Sequence, residues 1–131
     1  MFGLEVQPIP LIRDEPAAGE IATITGWGST EYQGTFSPEL RVVFLPIVDH
    51  ETCNQAFMEL YGGVTEYMIC TSTENGTKDA CSGDSGGPMA VGGQLAGVVS
   101  WGEECATVEY PGVYTNVALV REFITNITGV E

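Results

Sequence analysis

Apolar residues along this chain gather in short runs separated by Gly, Pro, Ser and Asn, and few of them follow the three-and-four spacing of a helix. Such runs predict strands over 21–27 (IATITGW), 40–48 (LRVVFLPIV), 67–71 (YMICT), 87–91 (GPMAV), 95–101 (LAGVVSW) and 112–117 (GVYTNV). Short strands at this spacing belong to an all-β barrel or sandwich. Two stretches break the pattern. Asp49 is a good N-cap, and the residues after it predict a helix over about 50–60, with Cys53, Phe57 and Leu60 on one side. A closing helix is predicted over about 116–127, where Val117, Val120, Ile124 and Ile127 recur at three and four residues. No internal repeat, linker or low-complexity tract interrupts the 131 residues, which suit one domain able to bury roughly two-thirds of its unfolded surface.

Charge and cysteine usage narrow the function classes. Eighteen acidic against four basic side chains give a formal charge of −14, so neither nucleic acid nor an anionic membrane is expected as a partner, while a cationic substrate is permitted. Four cysteines, Cys53, Cys70, Cys81 and Cys105, are even in number and form no CxxC pair; this argues for two disulfides and against a zinc site, with no metal or cofactor expected. Disulfides point outside the cytosol. The opening MFGLEVQPIPLIRDE has no basic start, and Glu5, Gln7, Pro8 and Pro10 break its apolar run. It is therefore not read as an export signal, and sequence upstream is expected. No run of about twenty apolar residues occurs.

The chemistry concentrates in KDACSGDSGGP, residues 78–88. A serine hydroxyl is a poor nucleophile at neutral pH; a hydrolytic serine needs a base for its proton and donors for the oxyanion. Glycines answer the second need, because without a Cβ the backbone turns freely and can aim N–H groups inward, here those of Gly83 and Ser85. A polar turn would explain an isolated GxSxG, but hardly the longer GDSGGP after Asp-Ala-Cys. The nucleophile elbow of α/β-hydrolases is excluded, because there a helix follows the serine and a histidine comes later. Here a strand-like MAV follows, and no histidine lies beyond Ser85.

Together with GWGST (26–30), MIC (68–70), GVVSWG (97–102) and YPGVYTNV (110–117), in this order, the motif makes nearly the whole chain resemble the C-terminal half of a trypsin-like, chymotrypsin-fold serine protease. The resemblance implies a six-stranded antiparallel β-barrel over 1–131, with residues 1–12 as the connector from an N-terminal barrel. It makes Ser85 the nucleophile, the Gly83 and Ser85 amides the oxyanion hole, and Asp84 the acid that pairs with a new N-terminus after zymogen cleavage. It matches Ser100, Trp101 and Gly102 to the strand that pairs with the substrate backbone. Asp79 becomes the floor of the primary pocket and Gly102 and Gly112 its walls, which implies protein or peptide substrates cleaved after Arg or Lys. A solvated loop acid is the plainer reading of Asp79, but its place in the motif argues against that. Cys53–Cys70 and Cys81–Cys105 are the implied bridges. Ala22 and Val91 stand where a further bridge of vertebrate trypsins has its two ends.

The departures bear on function. The one histidine, His50, lies in VDHETC, which the family places on the surface far from the nucleophile, and no segment resembles those carrying the family's catalytic histidine and aspartate. The chain is therefore expected to be part of a longer secreted protease and inactive alone. The alternative is a half-domain that binds partners without cleaving them; a nonproteolytic secreted barrel sharing the motif by chance comes last. Sequons at Asn75 (NGT) and Asn126 (NIT) permit glycosylation in the secretory pathway.

Overall fold

A computed structural model describes residues 2–74, 76 and 78–131. Six antiparallel strands close into a barrel in the order β1-β2-β3-β6-β5-β4. They are β1 (Ile21–Gly26), β2 (Arg41–Val48), β3 (Met68–Thr71), β4 (Pro88–Val91), β5 (Gln94–Trp101) and β6 (Gly112–Asn116). Each coincides within a residue or two with a predicted run. Alternation explains which side chains enter the barrel: Ala22 and Ile24 of β1 and Leu45 and Ile47 of β2 are buried, while Ile21, Val42 and Phe44 face outward. Met89, Val91, Ala96, Val99 and Tyr114 complete the interior. The N-terminal segment plugs it as well, for Leu11 and Ile12 are buried and Leu95 exchanges backbone hydrogen bonds with Pro10 and Ile12 at 2.8 and 3.0 Å.

The expected helix over 50–60 is broken in two, α1 (His50–Ala56) and α2 (Met58–Tyr61). Asp49 caps α1 as predicted, its side chain accepting from the Thr52 amide at 3.2 Å. At Phe57 the backbone leaves the helical region and the amide is shared between the Cys53 and Gln55 carbonyls. Cys53 and Phe57 are fully buried, but Leu60, expected on the same side, is 48% exposed because the break turns α2 away from the barrel. Phe57 packs on Trp101 and Tyr110 with ring centroids 4.8 and 5.4 Å apart, joining the helix to the end of β5. The closing helix α3 (Val117–Thr128) buries Val117 and packs Ile124 on the core. Its last predicted apolar position, Ile127, projects outward at 72% exposure. Bridges join Cys53 to Cys70 and Cys81 to Cys105. No helix among the described residues is long and apolar enough to cross a membrane.

Candidate active site

Residues 79–88 run from the Cys81–Cys105 bridge into β4 through two tight turns, in which Asp84 N donates to Cys81 O and Gly87 N to Asp84 O, both at 2.9 Å. Gly83 and Gly86 sit at φ +94° and +83°, a region closed to most side chains, so the serine between them is presented on a loop only glycine can make. A β-carbon at Gly83 would also come within 2.8 Å of the Phe36 ring. Beyond the turn, Gly86 N donates to Val99 O and Val99 N to Gly87 O, tying the loop to β5. Ser85 is exposed at the tip. Among the described residues, neither the Gly83 nor the Ser85 amide donates a hydrogen bond, which leaves both free for an incoming oxygen.

Asp84 points the other way. Its Oδ1 accepts from Gly28 N at 2.8 Å and its Oδ2 from Cys81 N at 2.9 Å. A β-carbon on either Gly26 or Gly28 would overlap the carboxylate, so the two glycines of GWG form a cradle that only this backbone can provide. The carboxylate borders a cavity of about 310 Å³ shared with Gly26, Gly28, Arg41 and Lys78.

Asp79, Ser85, Ser100, Trp101, Gly102 and Gly112 all line one second cavity of about 210 Å³. Gly112 is buried and Gly102 lies at the open end. The β5–β6 register slips between Val99 and Trp101, so Ser100 is the extra residue of a bulge, a device that re-aims the strand beside the pocket. Asp79 Oδ2 accepts from the Ala106 amide at 3.1 Å. Burial nevertheless dominates: the carboxyl is pushed from its ordinary 3.8 up to about 6, with the Asp84 charge adding to the rise and the Ala106 and Ala80 amides opposing it.

The single histidine is engaged elsewhere. His50 contacts the Thr65 carbonyl through Nε2 at 2.9 Å and lines a different cavity, with Glu15, Asp49 and Asn116. Ser85 has no base among the described residues. Asn126 is exposed on α3, while the Asn75 sequon lies outside the described residues. Sequence reasoning overlooked Ala80, Glu104 and Tyr114, which also line the second cavity. Tyr114 was within reach, since residues two apart in a strand share a face and Gly112 had been identified. No group of His, Cys, Asp and Glu able to hold a metal occurs among the described residues.

A family model described as Trypsin matches residues 1–124. Trypsin eta of Drosophila erecta is 46% identical over 92% of this chain and 46% of its own length. The vitellin-degrading protease of Bombyx mori is 44% identical over 98% of the chain and 49% of its own length. Among solved structures, mouse neuropsin, a serine protease expressed in the limbic system of the brain, superimposes with a TM-score of 0.88 at 36% identity, covering 97% of this chain and 56% of that one. The chain spans about half the length of the curated relatives it matches.

Proposed function

Starting from the premise that this chain belongs to the trypsin family of serine proteases, we propose that it supplies the nucleophile, oxyanion hole and primary pocket of a secreted endopeptidase that cleaves after Arg or Lys. The observation that carries the reading is one cavity lined by both a serine and a partly buried carboxylate, Ser85 at its mouth and Asp79 beneath. A substrate guanidinium or ammonium entering between Gly102 and Gly112 pairs with Asp79, which brings the carbonyl of that same Arg or Lys residue to Ser85 Oγ. As Oγ attacks and gives its proton to the base, the carbonyl oxygen gains negative charge and accepts hydrogen bonds from the Gly83 and Ser85 amides; the amine leaves carrying the proton the base took, and water then hydrolyses the acyl-serine.

The base that takes the Oγ proton is not His50, whose ring contacts Thr65. In this reading a second, N-terminal barrel of the same protease brings a histidine and its orienting carboxylate to Ser85, and residues 1–12 connect the two. Asp84 then exchanges its amide partners for the ammonium of a newly cut N-terminus, entering the cavity it borders. Without those parts the chain is inactive, since loss of the base alone removes nearly all of a triad's contribution.

The test is hydrolysis of peptidyl anilides that differ only in the residue before the scissile bond, by the native protein purified from its source and weighed intact. Turnover of the Arg and Lys substrates, and not of Phe or Glu ones, by a species near 25 kDa that loses activity in Ser85→Ala is expected. Cleavage after other residues, or cleavage surviving Ser85→Ala, would contradict it. A native species of about 14 kDa that binds basic peptides without cutting them would instead favour the half-domain reading.

A further inference from the structure

Behind Asp79 the barrel buries two hydroxyls that the proposed chemistry leaves unused. Thr71 ends β3 and is wholly buried; Tyr114, in the middle of β6, is 1% exposed. Thr71 Oγ1 donates to the Tyr114 hydroxyl at 3.0 Å. The β3–β6 register sets Thr71 opposite Gly112, and here the absent side chain matters. A β-carbon on Gly112 would stand 2.5 Å from Asp79 Oδ1 and 3.4 Å from each of the Thr71 and Tyr114 hydroxyl oxygens. Three oxygens from three parts of the chain therefore converge where any residue but glycine would put carbon.

Their protons can be followed one by one. Asp79 Oδ2 is occupied by the Ala106 amide, so Oδ1 is the oxygen that faces the hydroxyls. Buried hydroxyls do not leave protons unplaced. With Thr71 donating to the phenol oxygen, the phenol proton needs its own acceptor, and Asp79 Oδ1 is the anionic oxygen on that side. Were Thr71 apolar, the phenol would have no fixed donor and no reason to hold one rotamer of its O–H.

We propose that Thr71 is a positioning residue of the primary pocket: its hydroxyl sets that of Tyr114, which directs its proton toward Asp79 Oδ1 and fixes the carboxylate plane to receive a planar, forked cation. The inference rests on the reading of Asp79 as the cation's partner. It also refines the substrate class. A carboxylate held in plane favours bidentate guanidinium or amidinium over the compact, rotatable ammonium, so Arg substrates are preferred to Lys.

The experiment is calorimetric binding of benzamidine, a planar amidinium, and of n-butylamine, an ammonium, to the native protein and to Thr71→Val, which keeps the volume but not the hydroxyl. Losing the buried Thr71–Tyr114 hydrogen bond, and with it the direction of the phenol proton, predicts benzamidine binding weaker by about 3- to 10-fold, with butylamine changed by less than about twofold. Thr71→Ser, which retains the hydroxyl, restores the ratio. Equal weakening of both ligands, or an unchanged ratio, overturns the proposal. Should Thr71→Val fail to fold by circular dichroism, Tyr114→Phe decides: it lacks only the phenolic oxygen and must show the same selective loss. A native protein that binds neither ligand refutes the pocket reading itself, and this inference with it.

Discussion

Asp79→Asn separates what the pocket does for binding from what it does to the fold. Burial raises the Asp79 carboxyl from 3.8 to about 6, so the native state holds its proton more tightly than the unfolded chain does. Below about pH 4 both states are protonated and the group is neutral in stability. Above about pH 6 both are ionised, and the folded protein carries a carboxylate it has poorly solvated. A rise of about two units at 1.36 kcal/mol each makes that penalty about 3 kcal/mol, an upper figure because the pocket opens to water. Stability contributed by this residue therefore falls as pH rises from about 4 to about 6, the reverse of a salt-bridged acid. Asn keeps an oxygen for the Ala106 amide and cannot ionise. The variant should match the parent near pH 4 and exceed it by up to about 3 kcal/mol at pH 7, while losing benzamidine binding altogether. Urea unfolding followed by the fluorescence of Trp27 and Trp101, run on both proteins across this range, measures the difference with all other titrating groups in common. A stability difference that is flat with pH, or an Asn variant weaker at pH 7, would refute the reasoning.

Three further outcomes follow from local geometry. Gly112→Ala puts a methyl 2.5 Å from Asp79 Oδ1 in a buried place, so it should lower stability by about 1–3 kcal/mol and abolish benzamidine binding. Gly102→Ala meets nothing nearer than 3.9 Å and should fold within about 0.5 kcal/mol of the parent while narrowing the pocket mouth, so thermal melts that fail to separate the two variants would contradict this. The β1–β4 register, Thr23 opposite Ala90 and Ile24 opposite Met89, carried one residue further faces buried Ala22 to buried Val91. Ala22→Cys with Val91→Cys should oxidise spontaneously and add about 4 kcal/mol by closing a loop of about 70 residues; free thiols persisting after unfolding in titration would show the register to be wrong.

Local rules determined much of this protein. Alternation and breakers located all six strands, and Asp49 announced a helix start, because a strand's faces and a helix's cap depend on a few consecutive residues. The glycines around Ser85 were legible for the same reason, since the φ of Gly83 and Gly86 is a local demand. Where packing competes with pattern, the sequence was silent or misleading. The break at Phe57 follows from burying that ring against Trp101 and Tyr110, residues far along the chain, and it turned Leu60 outward against its helical spacing. Ile127 continues the apolar period of α3 past the point where the barrel is there to cover it. The meeting of the support behind Asp79 was invisible as well: Thr71 on β3, Asp79 on its loop and the Gly112–Tyr114 stretch of β6 are three separate segments that meet only because the barrel closes through the β3–β6 pairing. By itself the sequence determined the strands, the turn chemistry and the residues able to react. Closure of the barrel decided which of them share a cavity, which carboxylate is buried, and which hydroxyls stand behind it, because those are distances between residues no local rule connects.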